Sequence, residues 1–109
     1  MATYRESGVD LNAADELIER IKPTVIKTWN EDVVGGFGGF AAGMTIPSGY
    51  TNPVLMMSTD GVGTKAELAR QAGLLDGLGW DLVAMCIDDL AAVGARPIAM
   101  NDYVAMGRI

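Results

Sequence analysis

The first helical pattern in the chain begins near Asn12. Apolar residues then recur at three- and four-residue intervals as far as Val25, the spacing of one face of an α-helix. Asn12 is a candidate N-cap for this helix. Pro23 either ends the helix or begins a second short helix that reaches about Thr28, because proline is poorly tolerated inside helices but suits a first turn. An irregular arm of about ten residues precedes the pattern.

Two further helices are predicted in the second half of the chain. One follows the sequence DGVG and runs through about Gln71, where Gly73 is a natural C-terminal stop. After a loop at Gly77 and Gly79, the sequence WDLVAMCIDDLAAVGA predicts the strongest helix, which ends near Gly94. One face of this helix is traced by Trp80, Val83, Ile87, Leu90 and Gly94.

Three apolar segments are strand candidates. VLMMST, residues 54–59, is short and bounded by turn residues, which favours a buried strand, and IAMNDYVAM, residues 98–106, predicts a final strand. The third segment, VVGGFGGFAAGM, covers residues 33–44 and lies between the first helix and residue 54. It is predicted to be a strand, a flexible loop, or one followed by the other. In this segment Phe37 and Phe40 would anchor a surface loop that glycine allows to turn sharply.

Composition narrows the classes of function. The 109 residues form at most one domain, and 50% hydrophobic with 20% charged residues argues against disorder. A net charge of -6 disfavours nucleic acid and anionic lipid as partners, and there is no histidine for acid–base chemistry or zinc binding. The chain has one cysteine, Cys86, and shows neither a signal-peptide pattern nor an apolar run of the ~20 residues that cross a bilayer. The sequence therefore predicts a cytoplasmic protein.

The sequence TDGVGTK, residues 59–65, is the first candidate for chemistry. Asp60 follows a predicted strand and could hold Mg²⁺, which favours carboxylate and phosphate oxygens. Gly61 and Gly63 would let backbone N–H groups approach an anion at the start of a helix near Thr64, and Lys65 could neutralise a phosphate. The spacing is not that of a P-loop, and an ordinary strand–turn–helix connection has the same ingredients.

Other carboxylates could cooperate with this turn. Asp88 and Asp89 are adjacent on the strong helix and therefore point about 100° apart. Asp81 is interpreted as a favourable charge at the helix N-terminus. Asp102 interrupts an apolar segment, and a carboxylate in a buried strand is costly unless it is paired or bound to metal.

Taken together and in order, the motifs of the chain resemble the N-terminal part of the aminoimidazole ribonucleotide synthetase (phosphoribosylformylglycinamidine cyclo-ligase) family of purine biosynthesis. Any one motif is weak, but the ordered set is specific. The set consists of YRESGVD (4–10), IERIKP (18–23), GGFGGF (35–40), TDGVGTK (59–65), GWDLVAMCIDDL (79–90), GARP (94–97) and DYVAMG (102–107).

The resemblance implies an ATP- and Mg²⁺-dependent ring closure of formylglycinamidine ribonucleotide to aminoimidazole ribonucleotide. Phosphoryl transfer depends on positioning and charge neutralisation, so a chain without histidine remains compatible with it. The resemblance implies a catalytic role for Asp89 and Lys22 and a metal role for Asp60, Asp89 and, more weakly, Asp102. It also implies nucleotide binding by a mobile glycine-rich cover and by the TDGVGTK turn: Gly35, Gly36, Gly38, Gly39, Asp60, Gly61, Gly63, Thr64 and Lys65.

The resemblance further implies an α+β ATP-binding domain whose strands form a barrel across a homodimer. Residues 1–109 would be a partial N-terminal domain, since family members are several times longer, and the C-terminal domain would be absent. Asp88 stands where many relatives have asparagine, so the metal role belongs more safely to Asp89.

Two alternatives stay open. Another ATP-using member of the superfamily, such as thiamine-monophosphate kinase, shares the nucleotide-handling half of the family. A non-catalytic dimerisation fragment would keep the fold without the chemistry, and failure of the chain to bind Mg-ATP would favour it.

Overall fold

The computed structural model describes residues 3–105, which contain three helices and one two-stranded sheet. The chain divides into two compact units, Met1–Tyr50 with Asn101–Ile109, and Thr51–Met100. The first unit contains helix α1 (Leu11–Ile26) and strands β1 (Val33–Val34) and β2 (Gly43–Met44); the second contains helices α2 (Thr64–Ala72) and α3 (Leu78–Ala92). This content is consistent with part of an α+β domain, the predicted class.

Helix α1 is capped by Asp10. Its carboxylate Oδ1 accepts hydrogen bonds from the backbone N–H groups of Asn12 (3.1 Å) and Ala13 (3.3 Å). These bonds satisfy two of the amides that the start of a helix leaves without partners. The prediction of Asn12 as the cap is therefore wrong, because Asp10 already holds the amides that a cap would serve. Arg5 Nε lies 2.9 Å from the other Asp10 oxygen.

Pro23 neither ends α1 nor starts a separate helix. The helix continues to Ile26, and the N–H of Lys27 still donates to the carbonyl of Pro23 (3.3 Å). A proline at this position lacks the amide that would donate to the carbonyl of Glu19, but the helix runs on through it. The two alternatives drawn from the sequence are thus replaced by one continuous helix of 16 residues.

The glycine-rich segment forms a β-hairpin. Strands β1 and β2 pair antiparallel, with Val33 opposite Met44 and Val34 opposite Gly43. At the open end of the pair, Thr45 donates through its N–H to the carbonyl of Asp32 (2.8 Å) and through Oγ1 to the Asp32 carboxylate (3.0 Å). Of the alternatives left by the sequence, the structure shows a short strand, a loop and a second short strand.

Helices α2 and α3 agree closely with the sequence pattern. Gly73 caps the end of α2 at φ +69°, and Gly94 follows α3 at φ +73°. Both values lie in the left-handed region that glycine adopts without a Cβ penalty, so both helices stop where glycine allows the chain to turn. Gly79 lies inside α3 rather than in the loop that was predicted before it.

The strands predicted at residues 54–59 and 98–106 are not found. Residues 54–59 and 98–105 lie in neither a helix nor a strand, and residue 106 falls outside the described residues. A strand exists only when its backbone groups pair with a neighbour, and an apolar pattern does not by itself supply that neighbour. Among residues 3–105, no helix is long and apolar enough to cross a bilayer.

No residue between positions 3 and 105 is buried. Large apolar side chains remain open to solvent, including Met57 (86% exposed), Trp80 (82%) and Val54 (80%). The face of α3 predicted from Trp80 and Val83 is exposed, and Cys86 on the same helix is half-buried. The described residues thus form secondary structure without an enclosed core.

A hydrogen-bonded cluster on α2 predicts that the helicity of α2 depends on pH. The Glu67 carboxylate accepts two bonds from Arg70 (both 2.7 Å) and one from Gln71 (2.8 Å), and these partners lower the pKa of Glu67 to about 2. A carboxyl whose pKa is lowered by folding stabilises the fold fully above its unfolded pKa, near 4.5, and loses that effect as the pH falls towards 2. We therefore expect the helicity of α2 to decline across this window and the decline to weaken in Glu67→Gln.

Carboxyl ¹³C chemical shifts of Glu67, followed together with circular dichroism, test this expectation. The cluster is exposed, so the effect should also shrink at high salt. A titration midpoint for Glu67 near 4.5 would contradict the prediction.

Candidate functional site

The turn before α2 places a carboxylate beside a helix N-terminus. Asp60 is exposed, and its Oδ1 accepts a hydrogen bond from the N–H of Gly61 at 2.7 Å. Gly63 is the N-cap of α2, with φ +60° and ψ -139°, and contributes no side-chain hydrogen bond to the helix. An N-terminus that lacks a capping side chain directs its first N–H groups outwards, and the helix dipole adds positive potential there. This geometry suits an anion such as a phosphate.

Lys65, the basic residue of the motif, forms an ion pair with α3. Its Nζ lies 2.6 Å from Oδ2 of Asp81, which sits in the first turn of that helix. The Asp81 charge is at the helix N-terminus, as predicted, and the pairing with Lys65 is an addition to that prediction. An ammonium group has three donors, so the contact with Asp81 leaves donor capacity for a phosphate oxygen.

Asp89 is joined to the same segment by a second contact. Ser58 Oγ donates a hydrogen bond to Asp89 Oδ2 at 3.2 Å. Ser58 therefore pairs near the C-terminal end of α3, while Lys65 pairs near its N-terminal end, so residues 58–65 run antiparallel to the helix. The two contacts place the segment that carries Asp60 alongside the helix that carries Asp89. The sequence did not reveal these two contacts, because each joins residues that are far apart in the chain.

The carboxylates available here are few. Within residues 3–105, no group of three or more acidic or cysteine side chains is close enough to hold a metal ion by itself. Mg²⁺ that accompanies a nucleotide needs less, because phosphate oxygens and water complete its shell around one or two carboxylates. Asp60 and Asp89 are both exposed, so each carboxylate is open to such an ion. Asp102 lies in the other unit and is exposed, so burial gives no reason for a metal there.

In the first unit, the hairpin loop bends at two glycines on either side of an aromatic residue. Gly35 has φ +95° and Gly38 has φ +89°, both in the region that favours glycine. Between them, Phe37 is half-buried, whereas Phe40 is fully exposed. The prediction that both rings anchor the loop is therefore wrong for Phe40, whose side chain projects from the described part of the unit.

Phe37 lies between an aromatic ring and an ammonium group. Its ring centroid is 6.4 Å from that of Trp29, with the planes tilted by 35°, and Lys22 Nζ lies 5.9 Å from the Phe37 centroid. Lys22 Nζ also lies 3.2 Å from Oε1 of Glu19 in the preceding turn of α1. The loop and the predicted catalytic lysine are thus neighbours in the first unit.

A pair of alanine substitutions distinguishes the effect of backbone conformation from the effect of steric clash in this loop. A Cβ added at Gly36 or Gly38 would meet no atom within 4 Å, so neither substitution clashes. Only Gly38 has positive φ, where an L-residue costs about 1–2 kcal/mol. We expect Gly38→Ala to loosen the hairpin and Gly36→Ala to leave it nearly unchanged, as measured by amide exchange of residues 33–44. Equal effects would contradict the assignment of conformational need to Gly38.

Comparison with known proteins bears on the family of this chain. The family model described as AIR synthase related protein, N-terminal domain, matches residues 39–109. Because the match covers well over half of the chain, the chain belongs to this family. The match includes all of the TDGVGTK turn, α2 and α3.

Individual relatives extend the similarity to nearly the whole chain. The chain is 50% identical over 106 residues to a protein of Prochlorococcus marinus (strain NATL1A) and 48% identical over 107 residues to one of Xanthomonas campestris pv. campestris (strain B100). Both relatives are named phosphoribosylformylglycinamidine cyclo-ligase. The alignments cover 97% and 98% of this chain, and the chain spans about a third of each relative's length (31%).

Proposed function

We propose that this chain is the nucleotide-handling part of a ligase that converts formylglycinamidine ribonucleotide to aminoimidazole ribonucleotide with ATP and Mg²⁺. One observation carries the proposal: two relatives about half identical to nearly the whole chain bear the name of this cyclo-ligase. The anion-compatible start of α2, beside Asp60, supports a site for the nucleotide phosphates.

The residues of the second unit have separate tasks in this proposal. Asp60 and Asp89 would hold Mg²⁺, and the N–H groups at Gly61, Gly63 and Thr64 would bind phosphate oxygens. When bound, Mg-ATP would supply the phosphoryl group that activates an amide oxygen of the substrate. Lys65, held by Asp81, would place a positive charge near the phosphates and offset their repulsion by an acidic chain. Positioning and charge neutralisation are what phosphoryl transfer requires of a protein.

Other parts of the proposal rest on the family alone. Lys22 and the glycines at positions 35, 36, 38 and 39 would contact the nucleotide, and Asp102 is a weaker metal ligand. A homodimer with a shared barrel is likewise a family expectation, and a cytoplasmic location is the expectation drawn from the sequence pattern.

A substrate panel tests the reaction. In a full-length version of the protein, comparable in length to its relatives, we expect ADP release to require formylglycinamidine ribonucleotide. Thiamine monophosphate in its place should give only the background rate. ADP release that depends on thiamine monophosphate would instead assign the protein to the kinase branch of the superfamily.

A second candidate function is a non-catalytic dimerisation fragment. The observation that favours it is the lack of any buried residue between positions 3 and 105, since such a chain has apolar surface available for a partner. If the 109-residue chain forms a folded dimer but gives no heat with Mg-ATP in titration calorimetry, this second function applies to the chain by itself.

A further inference from the structure

The aromatic side chain of Phe37 brings the hairpin loop next to α1. Its ring is approached by Trp29 at 6.4 Å between centroids and by Lys22 Nζ at 5.9 Å from the centroid. A lysine ammonium within about 6 Å of an aromatic centroid is attracted by the negative charge on the ring face. The loop therefore contacts Lys22 through an interaction that depends on the aromatic character of residue 37.

Two features of the loop favour this contact. Gly35 and Gly38 adopt positive φ on either side of Phe37, so the backbone turns sharply before and after the ring. Trp29 packs against the ring and limits its freedom. Phe40, three residues further on, makes a contrast within the same loop because it is fully exposed.

Lys22 needs such a neighbour if its ammonium is to occupy one position. Its side chain is 40% exposed, and Glu19, its ionic partner among the described residues, is a surface residue 70% exposed. A surface ion pair of this kind holds a long, flexible side chain only weakly. A ring on another side of the ammonium adds a second restraint on where the charge lies.

We propose that Phe37 is a positioning residue for Lys22, so that the conformation of the glycine-rich hairpin and the location of the Lys22 charge are coupled. This inference rests on the proposed function, in which Lys22 contacts the nucleotide. Phe37 itself touches no reacting atom. Its effect on turnover passes through the lysine, and substitutions at the two residues should therefore be non-additive.

The test compares four variants of the full-length protein: Phe37→Leu, Phe37→Tyr, Phe40→Leu and Lys22→Met. The first readout is independent of activity: the rate at which an amine-acylating reagent modifies Lys22, measured by peptide mass spectrometry. Amide exchange of residues 33–44 monitors the loop, and circular dichroism verifies folding. The second readout is kcat for ATP-dependent turnover, with the double variant Lys22→Met/Phe37→Leu included to measure coupling.

We expect Phe37→Leu to change the rate of Lys22 acylation and to lower kcat, each by about 2- to 5-fold. This is the size of the effect of an exposed cation–π contact. Phe37→Tyr, which keeps the aromatic face, should restore both to within about twofold, and Phe40→Leu should match the unchanged protein. In the double variant, Phe37→Leu should add nothing to the loss caused by Lys22→Met.

Each failure has a separate meaning. Equal Lys22 acylation in Phe37→Leu and Phe40→Leu would overturn the positioning role while leaving the proposed function intact. Full turnover in Lys22→Met would instead overturn the part of the proposed function assigned to Lys22, and the catalytic significance of Phe37 with it. Additive losses in the double variant would also overturn the inference.

Discussion

Asp60→Asn in the full-length protein is expected to lower ATP-dependent turnover by at least about 100-fold, the scale of loss when one preorganised electrostatic contact is removed. Asparagine keeps the shape and the Oδ1 that accepts the Gly61 N–H, so only the charge that would hold Mg²⁺ disappears. Because Asp60 is exposed, the free energy of unfolding should change by less than about 0.5 kcal/mol. Steady-state kinetics and denaturant unfolding measure the two effects.

Asp76→Asn is the matched control for this substitution. Asp76 is also exposed, lies in the turn before α3 and loses the same charge, but it is outside the proposed site. It should retain normal turnover. Near-normal activity of Asp60→Asn would remove Asp60 from the site, and equal losses in both variants would point to a general effect of charge.

The second large effect concerns stability. We expect the 109-residue chain alone to absorb less than half the heat on unfolding that an ordinary domain of its length absorbs. Such domains require about 0.7 kcal/mol per residue near 60 °C, because unfolding disrupts a packed core. Between residues 3 and 105 no side chain is buried, and Met57 and Trp80 are almost fully exposed, so this chain has little packing to disrupt.

Differential scanning calorimetry of the chain, with the full-length protein as the comparison, makes this measurement. The full-length protein should show a sharp transition with the usual enthalpy per residue. A single cooperative transition of the chain alone, with an enthalpy of about 75 kcal/mol, would contradict the expectation.

The helices were the part of the fold that the sequence could predict. Their apolar spacing and the terminal glycines Gly73 and Gly94 are local signals, and both glycines are found at positive φ where the pattern required a stop. The errors in α1 are local too. Asp10, not Asn12, caps the helix, and Pro23 lies inside the helix.

The strands could not be predicted in the same way, because a strand depends on a partner that is often distant in the chain. Residues 54–59 have a strand-like composition but form no paired strand, whereas the hairpin of β1 and β2 forms across a glycine-rich segment with ambiguous propensity. For β1 and β2 the pairing at Val33–Met44 and Val34–Gly43 decides the structure.

In the candidate site, too, the local features could be predicted from the sequence and the long-range contacts could not. The sequence identified Asp60, Gly63 and Lys65 as one motif because they are close in the chain and end at a helix start. The contacts of Lys65 with Asp81 and of Ser58 with Asp89 join residues that are far apart in the chain, and no local pattern indicates them. These contacts are what bring the motif and α3 together.

The most direct test of the account is the position of the metal–nucleotide complex on the second unit. Paramagnetic Mn²⁺ can replace Mg²⁺ and, bound with ATP to the full-length protein, will broaden the NMR signals of nearby backbone amides. The account predicts the strongest broadening at Gly61, Gly63 and Asp89, and its loss in Asp60→Asn. Broadening that spares both the turn before α2 and the Asp89 region, or that persists unchanged in Asp60→Asn, would contradict it.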